Sequence, residues 1–380
     1  MSEFNTEDIT DRAGTGKPDL TNGFNINGSD SGISPHSHTE SANEPSNPNN
    51  GDAWLDTTNN IYKVYINNEW KDWFGTTVSD NAWSGNRGIV AGTKNTGYNA
   101  ILYFDISGSG GGSANFGDLT VARRSLGGAG STSRSCFFGG YTTSATRANT
   151  IDYVTPSTTG NAQDFGDMTV GRSSVASCSN GTRALTAGGY STAYINTVDY
   201  ITIANTGNAT DFGDLSYSAN TLAGNQAAGD LTRALVTGGI AGGGSSTMID
   251  YFTYATPSNA TDFGDLIYHV GRSLACSDAT RVVQMGGSTS SGGSPHTPAY
   301  KNIQYVTTQT TGNSTEFGDL LQEYSEGSAC ANATKGIAIA SHNVTTQMET
   351  ITIQTTGDAT DFGDLITGMY RSAAASGSPS

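Results

Sequence analysis

Apolar residues recur along the chain in short runs, alternating with polar positions and broken by Gly, Ser, Thr and Asn. That is the pattern of many short strands joined by tight turns. The stretch from 173 to 214 shows the plan. Small residues at 173–178 predict a strand A, and the run 183–188 predicts a strand B. The β-branched and aromatic run 197–203 predicts a strand C, and a strand D lies around the string DFGD. DFGDL or a close variant places its aromatic at Phe116, Phe165, Phe212, Phe263, Phe317 and Phe362. The repeats stand roughly 50 residues apart, a period that suits four-stranded propeller blades.

Other landmarks hold their place in each unit. A basic residue opens strand B: Arg87, Arg134, Arg183, Arg233, Arg281 or Lys335. In four units the run ends in a Gly pair (Gly139 and Gly140, Gly188 and Gly189, Gly238 and Gly239, Gly286 and Gly287), which suits a turn needing positive φ or close backbone approach. Phe104, Tyr153, Tyr200, Tyr251 and Tyr305 stand at one fixed separation ahead of the motif Phe, with Thr350 there in unit six. Unit one begins at strand B, whereas residues 371–375, after the sixth motif, match the strand A at 272–276. The last strand is therefore expected to complete the first blade and leave no open edge. The expected fold is all-β: a six-bladed β-propeller over residues 79–380, closed by its final strand.

These repeats resemble the kelch family of propellers in the strand ending in a Gly pair, the strand-C aromatic, and an Arg opening the next strand A (Arg124, Arg172, Arg272, Arg371). The usual kelch Trp is absent, and the motif Phe is expected to take its packing role. The resemblance implies a binding scaffold more than an enzyme.

Residues 1–50 are polar and rich in Pro, Asn and Ser, and read as an extended arm. Residues 51–78 give three short alternating runs separated by Asn pairs, a small meander. The string GDAWLDTT with its later Trp70 resembles small modules of bacteriophage tail-fibre proteins, and ITDRAGTGKPDLTNGFNING resembles phage appendage N-termini. That implies attachment to other virion proteins through residues 1–78 and association between copies of the chain. His36 and His38 resemble the HxH element that holds a metal between chains of trimeric phage fibres.

Charge narrows the partners. The chain carries a net charge of −16 without a Lys/Arg cluster, which disfavours nucleic acid. It has no apolar run long enough to span a membrane, and its acidic start lacks the features of a secretory signal. Sparse charge and Gly/Thr/Asn-rich repeats look like those of exposed adhesive proteins. A virion component assembled in the host cytoplasm and released by lysis reconciles these readings. The alternative is a non-viral propeller lectin, or a propeller enzyme with a central-channel site.

Candidate chemistry is thin. Cys178, Cys276 and Cys330 fall at one repeated position and Cys136 on another strand, so they read as small buried side chains. The polar pairs of DFGD recur through the units, as Asp and Asp in four, with Asn115 and Glu316 at the first place in units one and five, and they read as structural, paired with the basic residue of the blade. No catalytic triad, phosphate loop, zinc motif or cofactor signature occurs, and no enzyme is expected. Loop lengths do carry a signal. B-to-C and D-to-A loops share one face of a propeller, and the B-to-C loops vary most, as binding loops do over a fixed scaffold. Their aromatic and His residues, Tyr98, Tyr141, Tyr190, Tyr194, His296 and Tyr300, are the expected contacts for a host-surface glycan or protein.

Overall fold

The computed structural model describes residues 25–26, 29–30, 38–41, 43–49, 52–56, 61–66, 69–72, 85–93, 99–216, 226–241, 244–278, 280–289, 299–342 and 346–377. By internal contacts the chain divides into two units, Met1–Ser79 and Asp80–Ser380.

In the first unit Ala53–Asp56, Ile61–Ile66 and Glu69–Asp72 form an antiparallel meander. His38–Ser41 adds a fourth strand parallel to Ala53–Asp56, so part of the segment read as an extended arm belongs to the sheet. Trp54 anchors it: the buried indole N–H donates to the Ser41 carbonyl at 3.0 Å, and the ring meets Trp70 edge-on at 5.6 Å.

The second unit is a six-bladed β-propeller, each blade an antiparallel sheet of strands A to D counted from the axis. Blade 1 takes Ala373–Gly377, Arg87–Ala91, Ala100–Asp105 and Ala114–Asp118. Blade 2 takes Gly127–Gly130, Ser135–Phe138, Thr150–Val154 and Gln163–Asp167. Blade 3 takes Ala176–Ser179, Arg183–Ala187, Thr197–Thr202 and Thr210–Asp214, and blade 4 Gln226–Gly229, Arg233–Thr237, Gly244–Thr253 and Thr261–Val270. Blade 5 takes Leu274–Ser277, Arg281–Met285, Tyr300–Thr307 and Thr315–Tyr324, and blade 6 Ser328–Ala331, Lys335–Ile339, Gln347–Thr352 and Thr360–Asp364. Closure is as the repeats predict. Ala373 faces Ala91 and Gly377 faces Arg87, so the strand A of blade 1 comes from the far end of the ring.

Small residues in strand A let six strands meet around the axis. A β-carbon on Gly128 would press into the Ala374 carbonyl of the neighbouring blade. The four cysteines are buried free thiols in this scaffold.

The repeated motif is the joint between blades. Phe165 is buried in a cluster that also holds Phe138 of its own blade and Ile201 and Ile203 of the next. Its carbonyl accepts the Gly207 N–H at 2.7 Å, and the Asp167 N–H donates to Asn208 Oδ1 at 3.0 Å. Gly166, at φ 142°, sits where a β-carbon would strike the Gly207 carbonyl, which is why the motif needs glycine. The joint recurs where the ring closes, with Gly111 N–H on Phe362 O at 2.8 Å.

One expectation is corrected. The strand-B basic residue pairs with no carboxylate of its blade. Strand C lies between strands B and D, and its aromatic ring intercepts the guanidinium. Arg183 stacks on Tyr200 at 4.9 Å and donates to the carbonyls of Tyr254 at 2.6 Å and Ala255 at 2.9 Å, in the C-to-D loop of blade 4. Arg134 on Tyr153, Arg233 on Tyr251 and Arg281 on Tyr305 repeat this clasp. In blade 1 the stacked ring is Tyr103, one position before the expected Phe104, which instead packs on Phe362 across the closure. Blade 6 loses both partners together: Lys335 reaches the Gly108 carbonyl at 2.6 Å and Thr350 replaces the ring. Arg183→Ala is expected to destabilise the propeller by about 2 kcal/mol, the size of a cation–π contact plus charge-assisted hydrogen bonds. Arg183→Lys, copying blade 6, should recover part of it. A loss below about 0.5 kcal/mol in chemical denaturation, the size of an exposed contact, would show the clasp to be solvated.

Candidate functional site

In blades 2 to 6 a polar side chain on strand C holds the chain that follows the motif of the preceding blade; in blade 1 Leu102 has that place, and the Ile366 N–H donates to Ser113 Oγ at 2.9 Å instead. Asp199 accepts the Thr169 N–H at 3.0 Å, the Thr169 hydroxyl at 2.6 Å and the Arg172 guanidinium at 3.1 Å, with both ionic side chains 0% exposed. Asp152 holds Thr120 and Arg123 in the same way, at 3.0 Å to each backbone or guanidinium nitrogen. Burial pulls the Arg172 and Arg123 guanidinium groups below their usual range, against the attraction of Asp199 and Asp152. Asp250 takes the same place with Ser216, Gln304 with Ile267 and Glu349 with Leu321. Burial raises the carboxyls of Asp250 and Glu349.

These buried ties give the B-to-C and D-to-A face a firm base, and the axis opens through it. Around that mouth Ser125, Ser174, Arg272, Glu326 and Arg371 stand just before strand A in left-handed conformation, φ 54° to 58°. Their backbones are linked in series: Glu326 N–H to Arg272 O at 2.8 Å, Arg371 N–H to Glu326 O at 2.8 Å, Ser125 N–H to Arg371 O at 2.6 Å, and Ser174 N–H to Ser125 O at 2.7 Å. Glu326 bridges two cations, Arg272 Nε at 3.3 Å and Arg371 Nη2 at 2.8 Å. The four arginines that supported the kelch resemblance therefore do separate jobs. Arg172 is a buried tie, Arg272 and Arg371 rim the mouth, and Arg124 belongs to the surface described next.

Three of the expected contact residues come together there. Tyr141, on the B-to-C loop of blade 2, lies under Arg124 at 4.7 Å and near Arg147 at 5.5 Å. Arg147 crosses to blade 3 and covers Tyr190 at 4.5 Å, and Tyr190 meets Tyr194 edge-on at 5.0 Å. Local pairing holds the backbone in place: Arg124 with Tyr141, Tyr141 with Arg147, and Tyr190 with both Ser173 and Tyr194. The result is one row of alternating cations and rings across the joint of blades 2 and 3, with Tyr194 37% exposed at its end. Tyr300 is elsewhere: it opens strand C of blade 5, and its ring packs on the core between blades 4 and 5. Tyr98, His296 and His36 lie outside the described residues. His38 begins the fourth strand of the first unit, its backbone opposite Ala53. Among the described residues no three His, Cys, Asp or Glu side chains gather to hold one metal ion, and no helix is long and apolar enough to cross a membrane.

Sequence reasoning named the tyrosines as expected contacts but not Arg124 and Arg147, which add cations to the row. Their only signal was position, Arg147 on the loop that carries Tyr141 and Arg124 on the loop before strand A of that blade. The channel beneath is walled mainly by Gly, Ala, Ser and Cys, among them Gly128, Ala228, Ser277 and Cys330, with Leu126 and Val175. Burial pushes the Cys276 thiol up to about 12, so it stays protonated and a poor nucleophile at neutral pH.

No protein-family model matches the chain, and no curated protein matches it.

Proposed function

We propose that this chain is a structural component of a bacteriophage particle, assembled in the host cytoplasm, attached to other virion proteins through residues 1–78, and displaying a kelch-like propeller that adheres to a glycan or protein of the host surface. The reading is carried by one observation. The propeller chain enters at residue 85, just before a strand B, and so on the face of the A-to-B and C-to-D loops, whereas the row from Arg124 to Tyr194 lies on the opposite face. A tether and a contact surface on opposite faces suit a displayed adhesin. The likeness of residues 51–78 to tail-fibre modules supplies the particle, and the Gly/Ala/Ser/Cys wall of the channel supports binding without catalysis.

Mass spectrometry of gradient-purified particles tests it. Peptides of this chain are expected at fixed stoichiometry with the particle's other structural proteins. Recovery from the soluble lysate alone would overturn the proposal.

A further inference from the structure

We propose that the row of Arg124, Tyr141, Arg147, Tyr190 and Tyr194 binds an acidic saccharide, its ring faces laid on the tyrosines and its carboxylate held by an arginine; this rests on the adhesin reading above and names its ligand class.

The argument starts from unused valence. Among the described residues neither Arg124 nor Arg147 has a carboxylate partner, in a chain of net charge −16. Arg147 Nε is covered and lacks any acceptor. A guanidinium seated over a ring by cation–π attraction still has N–H groups to give, and a carboxylate fits them in pairs. The tyrosines give rigid rings with a hydroxyl at the tip, which suit a partner with C–H faces and many hydroxyls. Contacts of 4.5 to 5.5 Å run unbroken from Arg124 to Tyr190, and the ladder pairing of their backbones sets the row before any ligand arrives. The acidic remainder of the surface repels a densely charged polyanion such as nucleic acid and tolerates a ligand with one charge per several rings.

The full chain is titrated calorimetrically with a hexuronic-acid oligosaccharide, with the same oligosaccharide after reduction of its carboxyls, and with a phosphorylated neutral oligosaccharide. Binding of the acidic probe is expected, with the reduced probe at least about tenfold weaker, the value of one charge-assisted contact. Arg147→Ala and Tyr194→Ala should each weaken the acidic probe about tenfold at unchanged melting temperature. Tyr194 is exposed at the end of the row, so its variant keeps the test valid if Arg147→Ala fails to fold. Equal binding of acidic and reduced probes, preference for the phosphorylated one, or no binding of the acidic probe at millimolar concentration overturns the proposal. Because the assay uses isolated protein, its failure leaves the particle assignment to be judged by mass spectrometry alone.

Discussion

A chain truncated after Met369 is expected to lose about 5 kcal/mol or more of stability, roughly 10 °C in melting temperature for a domain of this size, and to associate through its exposed edge. The deletion removes the strand paired with Arg87–Ala91 over five residues, Ala373 to Gly377. It takes Ala373 out of the core between blades 1 and 2, and Ala374 out of the core between blades 6 and 1. Two links around the mouth go with it, Arg371 N–H to Glu326 O and Ser125 N–H to Arg371 O. The bared edge of blade 1 then offers unpaired N–H and C=O groups to any other strand. Differential scanning calorimetry and size-exclusion chromatography read both effects. A synthetic peptide of residues 370–380 added in trans should restore the monomer and part of the lost stability. A truncated monomer with an unchanged melting temperature would mean that strand A of blade 1 does not close the ring.

Arg172→Ala should be the most damaging single substitution, at about 3–5 kcal/mol, the usual cost of removing one partner of a buried ion pair. Asp199 would keep only Thr169, with its charge sealed at 0% exposure. Most of the loss would come from that stranded charge. The double variant Arg172→Met, Asp199→Leu should therefore be more stable than Arg172→Ala, although it removes more polar contacts. Urea denaturation of the three proteins settles the point. A double variant no better than the single one would place the cost in lost packing around the arginine stem instead.

The architecture was legible because its constraints are periodic. The DFGDL string marks six joints, and the match of 371–375 to 272–276 predicts the closing strand. What periodicity could not supply was the identity of partners across a blade. The pairing of Arg183 with Tyr200 instead of with a carboxylate depends on strand C standing between B and D, a matter of sheet order. Tyr103 takes the place expected of Phe104 because the C-to-D connection of blade 1 carries one more residue, while the register is shared: Tyr103 faces Ala114, two before its motif Phe, as Tyr153 faces Gln163. The candidate site was half legible for a similar reason. Loop position selected Tyr141, Tyr190 and Tyr194, but Arg147 reaches a neighbouring blade, and only the assembled ring brings it over Tyr190. Tyr300 stands apart from the row because strand C of blade 5 starts at that residue and its half-buried ring packs against the core between blades 4 and 5.

The swapped strand has a mechanical consequence. Residue 85 leads directly into Arg87–Ala91, which is flanked by Ala373–Gly377 on one side and Ala100–Asp105 on the other. Tension applied through the tether pulls this strand along its own axis, across hydrogen bonds that lie perpendicular to the pull. Both ladders are thus loaded in shear and share the force at once. Had the first strand after the tether been the innermost one, the same tension would have worked on a strand held by a single ladder. Entry through an interior strand therefore gives the ring two ladders of resistance at the point where force from residues 1–84 would reach it.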